Sequence, residues 1–307
     1  MLIVGCALTW GLGQVASKAA LIEVPPLTQA GMRSLGAALL IAAWARFKGI
    51  PLLERDGTLW PGVLAGLLFA GEFAALYTGL GMTTAGRMTV FLYLAPFVVA
   101  LGMPLLLRTE HLNPIQVGGL IAAFLGVALA FSEGFTSGSA TPRQWLGDSL
   151  GVLAAVMWGA TTLLVRATKL ATAAPAKTLL YQLGVSALTL LPVGLLTEHT
   201  APWPWHGWVT ASMVFQIVVV SSVSYLVWFW MVRHYPATKL SAFTLLTPLM
   251  ALIAGAVLLS EHITTRLVIA LVTVCTGIFL VNRAGGAGRS SGEGRLHGRR
   301  RGLGRAR

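Results

Sequence analysis

The chain has 307 residues, of which 56% are hydrophobic and 10% charged, with a formal net charge of +12 and a mean hydropathy of +0.77. So much apolar surface excludes a single soluble core and assigns the chain to a bilayer. The charge gathers at the C-terminus, where eight Arg from Arg283 onward oppose the single Glu293 in a Gly- and Ser-rich run. That composition reads as a disordered tail over 284–307 whose nearest partners are anionic lipid headgroups rather than nucleic acid.

A spanning helix needs about 20 mostly apolar residues. In chain order, the sequence offers ten such stretches: 2–22, 28–46, 59–80, 88–107, 114–132, 148–167, 177–196, 208–231, 239–259 and 266–283. The breaks between them carry turn or charge chemistry, as at Pro25-Pro26, 48–51, 110–114, 137–142 and 202–204. The weakest break falls around Gly79 to Arg87. The first stretch lacks a basic leader and a small-residue cleavage site, so it reads as a retained helix. Cys6 and Cys275 lie within spans and read as packing residues. With the N-terminus inside, Arg46, Lys48, Arg55, Arg108, Arg166, Lys169, Lys177, Arg233 and Lys239 fall on the inner side, and only Arg87, Arg143 and Arg266 on the outer. The excess of inner positive charge places both termini in the cytoplasm.

Charges deep in a span each cost about 2.5 to 3.5 kcal/mol on insertion scales and need a purpose. Glu72, Arg33 and Lys18 qualify. By rise per residue, Glu72 lies roughly 12 Å and Arg33 roughly 7 Å below the outer surface. Arg33 or Lys18 is therefore expected to pair with Glu72. That pair is either a static tie between helices or a working one, in which Glu72 takes a proton or meets a substrate ammonium. Pro96 and Pro248, near the middle of the fourth and ninth spans, remove a backbone donor and are candidate hinges or fixed kinks. Trp10 and Trp158 lie near mid-membrane rather than in the interfacial belts. With Tyr77, Tyr93, Ser224, Tyr225 and Trp228 they could line a cavity of rings and hydroxyls for an amphipathic solute, or simply pack. Trp203, Trp205 and Trp208 read as an interfacial anchor. The six histidines lack metal-ligand spacing and no phosphate-cradling Gly loop appears, so no enzyme, metal, cofactor or direct ATP drive is expected.

The two halves say nearly the same thing. Thr-Val-Phe-Leu-Tyr-Leu-Ala-Pro at 89–96, leading to Glu110-His111, parallels Ser-Ala-Phe-Thr-Leu-Leu-Thr-Pro at 241–248, leading to Glu261-His262. Trp10-Gly11 matches Trp158-Gly159, Lys18 matches Arg166, and Gly126 matches Gly277. Five spans in each copy force opposite orientations, which is an inverted repeat. Repeat one covers 1–132, a linker 133–147 and repeat two 148–283. The mismatches are Glu72 against Ser224 and Arg33 against Gln182.

The Trp-Gly of each first span, Arg33 in the second span, and the repeated Pro followed by Glu resemble the EamA family of the drug/metabolite transporter superfamily. The likeness covers residues 1–283, although His111 and His262 stand where family members often carry Arg. It implies a ten-helix inner-membrane carrier, often an exporter of amino acids or related metabolites. The expectation is thus an all-α integral membrane protein of two inverted five-helix repeats. Such a chain would move a small organic solute by alternating access, with a proton as candidate coupling ion. A passive channel or facilitator, or a small-drug efflux carrier, is the alternative.

Overall fold

The computed structural model describes residues 2–52, 54, 56–107, 113–136, 143–199, 205–234 and 246–280. Among them there is helix and no strand. The helices are α1 (Leu2–Ala20), α2 (Pro26–Phe47), α3 (Leu59–Leu80), α4 (Ala85–Leu92), α5 (Ala95–Leu107), α6 (Pro114–Thr136) and α7 (Gln144–Ala167). They continue with α8 (Pro175–Thr197), α9 (Gly207–Val214), a π-helical segment (Phe215–Val223), α10 (Ser224–His234), α11 (Leu246–Leu259) and α12 (Thr265–Leu280). Each of the ten expected spans overlaps helix. Five stretches are long and apolar enough to cross a membrane: α3, the run Ala85–Met103, α7, α8 and the run Gly207–Trp228. The C-terminal tail and residues 235–245, which include the start of the expected ninth span, lie outside the described residues.

Helix starts follow local chemistry. Pro26 and Pro175 occupy first-turn positions, where a missing N–H costs nothing. The Thr84 hydroxyl accepts from the Arg87 N–H at 3.2 Å, capping α4.

Two spans depart from a plain helix. The fourth is broken at Tyr93–Leu94, and Pro96 is the second residue of α5, just past the break. The discontinuity thus lies before the proline, which starts a new helix rather than bending an old one. Pro248 is the third residue of α11, and the residues before that helix are outside the described set. The eighth span changes from α to π register and back. Such wide turns are rare and frequent at functional sites.

Close crossings hold the bundle together. A Cβ on Gly11 would lie 2.7 Å from Met250 Cβ and 2.9 Å from the Ala251 nitrogen, so glycine lets α1 and α11 approach. In the same way a Cβ on Gly159 would meet Val98 Cβ at 2.5 Å, where α7 crosses α5. α2 packs along α8, and α3 packs against both α7 and α8. In turn α9 and the π-helical segment pack on α1, and the π-helical segment on α2. The largest buried cluster, including Phe69, Phe73, Leu76, Tyr77 and Leu183, sits among α1, α2, α3 and α8. Large apolar side chains such as Leu39, Trp60, Phe124, Leu188, Leu196 and Val257 point outward, the surface lipid tails would cover.

Candidate functional site

α2 and α3 bring Arg33 and Glu72 to matching depth: seven and eight residues from the neighbouring ends Pro26 and Leu80, or about 10 to 12 Å. Both side chains are buried, at 3% and 6% exposure. The Arg33 guanidinium is clamped on three sides. Its Nε donates to Ser221 Oγ at 2.5 Å, one Nη donates to the Tyr225 hydroxyl at 3.5 Å, and its carbon lies 4.0 Å above the Phe73 ring. The other terminal nitrogen, Nη1, is buried with no hydrogen-bond partner among the described residues.

Glu72 lies within electrostatic reach of Arg33 and Tyr225, yet among the described residues it makes no ion pair or hydrogen bond. Two opposite charges thus lie buried within electrostatic reach of each other without forming an ion pair. A buried charge left open is costly, which makes the gap a place for something else.

Above this pair, toward the Pro26 end, the Tyr77 hydroxyl donates to Gln216 Oε1 at 2.9 Å. Ser17 Oγ donates to the same oxygen at 3.2 Å, as does Gln29 Nε2 at 3.2 Å. Beside it, Trp10 Nε1 donates to Ser224 Oγ at 2.8 Å, and its ring meets Trp228 edge-on, centroids 5.3 Å apart.

The sequence-derived candidates therefore divide. Arg33, Glu72, Tyr77 and Tyr225 gather, and the π-helical segment and the start of α10 connect them to Ser224, Trp10 and Trp228. Tyr93 and Trp158 form a separate edge-on pair at 6.2 Å. Lys18 goes elsewhere: its ammonium meets Glu261 Oε1 at 2.9 Å and the Thr83 carbonyl at 2.6 Å, so it is not the partner of Glu72. Trp208 is exposed, as an anchor would be. Trp205 instead packs on Ala20, Val24, Val209 and Met213, and Trp203 lies outside the described residues.

Sequence reasoning missed a fully buried ion pair. Arg87, read as a loop residue, is buried in α4, and its guanidinium donates to both oxygens of Asp148, at 2.5 and 3.3 Å. It also donates to the Ala130 carbonyl at 2.6 Å, while Thr83 Oγ1 donates to Asp148 at 2.7 Å. Three further carboxylates join the halves at this same end. Glu261 accepts from the Ala85 N–H, Glu198 accepts from the Leu27 and Thr28 N–H groups, and Glu23 meets His206. Two of these sit on helix N-termini, where partial positive charge favours an anion. At the opposite end, Lys177 and then Thr58 hydrogen-bond Asp56 and hold its carboxyl well below the usual range.

A helical bundle with apolar outward faces is the build of a multi-pass membrane protein, and comparison with known proteins gives its family. Residues 1–132 and 145–283 each match the model of the EamA-like transporter family. The chain belongs to that family. It is 31% identical over 286 residues to the "Uncharacterized transporter YvbV" of Bacillus subtilis, covering 92% of this chain and 90% of the relative. It is 24% identical over 281 residues to the "Probable amino-acid metabolite efflux pump" of Escherichia coli, covering 88% and 90%. A solved structure described as "Crystal structure of protein" aligns with a TM-score of 0.65 at 19% identity over 91% of this chain and 94% of the other, a likeness of fold.

Proposed function

We propose that this chain is a secondary-active exporter of small zwitterionic metabolites, amino acids or their close relatives, working by alternating access. The observation that carries the reading is the open Arg33/Glu72 pair. A guanidinium with one buried nitrogen free suits a carboxylate, and a buried carboxylate without a partner suits an ammonium. A zwitterion would satisfy both at once, and the rings of Phe73, Tyr225, Trp10 and Trp228 would take its apolar side chain. Glu72 is also the group to carry a coupling proton in the empty return step. The amino-acid efflux pump relative supports the substrate class.

Two inverted repeats remain our reading of the frame. Its support is reciprocity: Gly11 of the first half seats α1 on α11 just past Pro248, and Gly159 of the second seats α7 on α5 just past Pro96. The two separate family matches favour the same reading. The Lys and Arg distribution supports an orientation with the Pro26 end outside and both termini in the cytoplasm, and the family resemblance supports the inner membrane.

The test is flux through the purified full chain in liposomes, with neutral amino acids, their amine and acid analogues, and cationic drugs under imposed pH gradients. Saturable counterflow confined to zwitterions fits the reading. Non-saturable flux of any small solute would make the chain a passive facilitator, and preference for drug cations would make it a drug carrier.

A further inference from the structure

One oxygen gathers three helices. Gln216 Oε1 receives Ser17 of α1, Gln29 of α2 and Tyr77 of α3, while its side-chain nitrogen donates to Ser212 Oγ at 3.1 Å. Ser17, Gln29, Tyr77 and Gln216 are 5%, 0%, 2% and 1% exposed, so the junction is dry and lies between the Arg33/Glu72 pair and the Pro26 end. An amide oxygen has two lone pairs, so Tyr77 and Gln29 saturate it, while the single Ser17 hydroxyl hydrogen is shared between this oxygen and the Tyr77 hydroxyl at 3.1 Å. Gln29 Oε1, beside it, is buried with no hydrogen-bond partner among the described residues, a desolvation cost that keeps this layer from being a relaxed core.

The same short segment touches the charged pair. Ser221, which accepts from Arg33, lies five residues after Gln216 within the π-helical run. In π register, residues five apart are joined along the ladder and stack on one face. In an α-helix of 3.6 residues per turn they would point about 140° apart. Gln216 and Ser221 can therefore both face the bundle interior only while the segment is π-helical. Ser222 braces this register by donating to the Ile217 carbonyl, five residues back, at 2.7 Å.

We infer that Gln216 is the residue that closes the path from the Arg33/Glu72 pair to the Pro26 end, and that the π-helical segment ties this closure to Ser221 on Arg33. The inference rests on reading that pair as the substrate site. A substrate carboxylate arriving at the free Nη1 of Arg33 draws the guanidinium toward itself and off Ser221, which Nε holds. Once Ser221 is released, the segment can tighten to α register, which turns Gln216 away from its three donors and opens the layer.

The test reads accessibility rather than transport. Gln14 lies on α1 between Trp10 and Ser17, on the site side of the layer. Gln14→Cys, in the full chain with Cys6→Ala and Cys275→Ala, is exposed to a membrane-impermeant methanethiosulfonate from outside in spheroplasts and from the other side in inverted vesicles. Gln216→Leu is expected to raise labelling from the Pro26 side about tenfold or more. Ser17→Ala, which removes one of the three donors and is the milder change should Gln216→Leu fold poorly, gives a smaller rise. Leucine raises labelling with Gln216 present and adds nothing in Gln216→Leu. Unchanged labelling in both variants, as monodisperse folded protein, overturns the inference, as does a rise confined to the opposite side. If Gln216→Leu opens the path but no zwitterion does, the closure stands and the substrate reading falls.

Discussion

Arg87 with Asp148 and Arg33 with Glu72 are both buried pairs of opposite charge, and they are finished differently. At the first, the guanidinium reaches both carboxylate oxygens and a backbone carbonyl, and Thr83 takes a further carboxylate site. At the second, the guanidinium is held by neutral groups and a ring, one nitrogen is left free, and the carboxylate stands apart. A satisfied pair contributes rigidity, because breaking it strands a charge. An open pair contributes little to stability and keeps its hydrogen-bonding capacity for a ligand. On the proposed reading, burial alone does not separate scaffold charges from working ones, and completeness of partnering does.

The contrast can be broken by substitution. Arg87→Met strands Asp148 and is expected to cost about 3 to 5 kcal/mol, read as a large fall in unfolding temperature and in yield of folded protein. Glu72→Gln should leave the unfolding temperature unchanged or raised while transport falls by tenfold or more and loses its pH dependence. If Glu72→Gln destabilises as much as Arg87→Met, the two pairs are alike and the distinction fails.

Smaller changes sharpen it. Lys18→Met leaves Glu261 on the α4 N-terminus through Ala85, so a loss of only about 0.5 to 1 kcal/mol is expected in thermal melts. The smallest effect belongs to Asp56. Because Lys177 and Thr58 lower its proton affinity in the folded state, its contribution is present above the ordinary carboxylate range and is lost as pH falls below that range. Asp56→Asn should flatten the acid limb of a stability–pH curve slightly, the carboxylate being 37% exposed.

Much of this frame was legible in the sequence. Spans announce themselves by length and apolarity, and Arg33 and Glu72 stood out because a charge far from any turn has few explanations. Arg87 and Asp148 did not, since each lies within a few residues of a break, where a charge reads as loop. Only packing of α4 against α7 makes them buried. Lys18 was visible, but its partner, Glu261, is 243 residues away in sequence, and no spacing rule reaches that far. The π register left no signal either: Phe215 to Val223 reads as ordinary apolar helix, and the widened turn shows only once Gln216 and Ser221 are seen facing inward together.

The most direct measurement of the central claim is ligand-induced thermal stabilisation of the purified chain, comparing leucine with isoamylamine and isocaproate, which keep only its ammonium or its carboxylate. The account predicts that the zwitterion stabilises the wild-type chain more than either analogue, and that Glu72→Gln abolishes the advantage of leucine over isocaproate. Equal stabilisation by all three, or an advantage that survives Glu72→Gln, would contradict it.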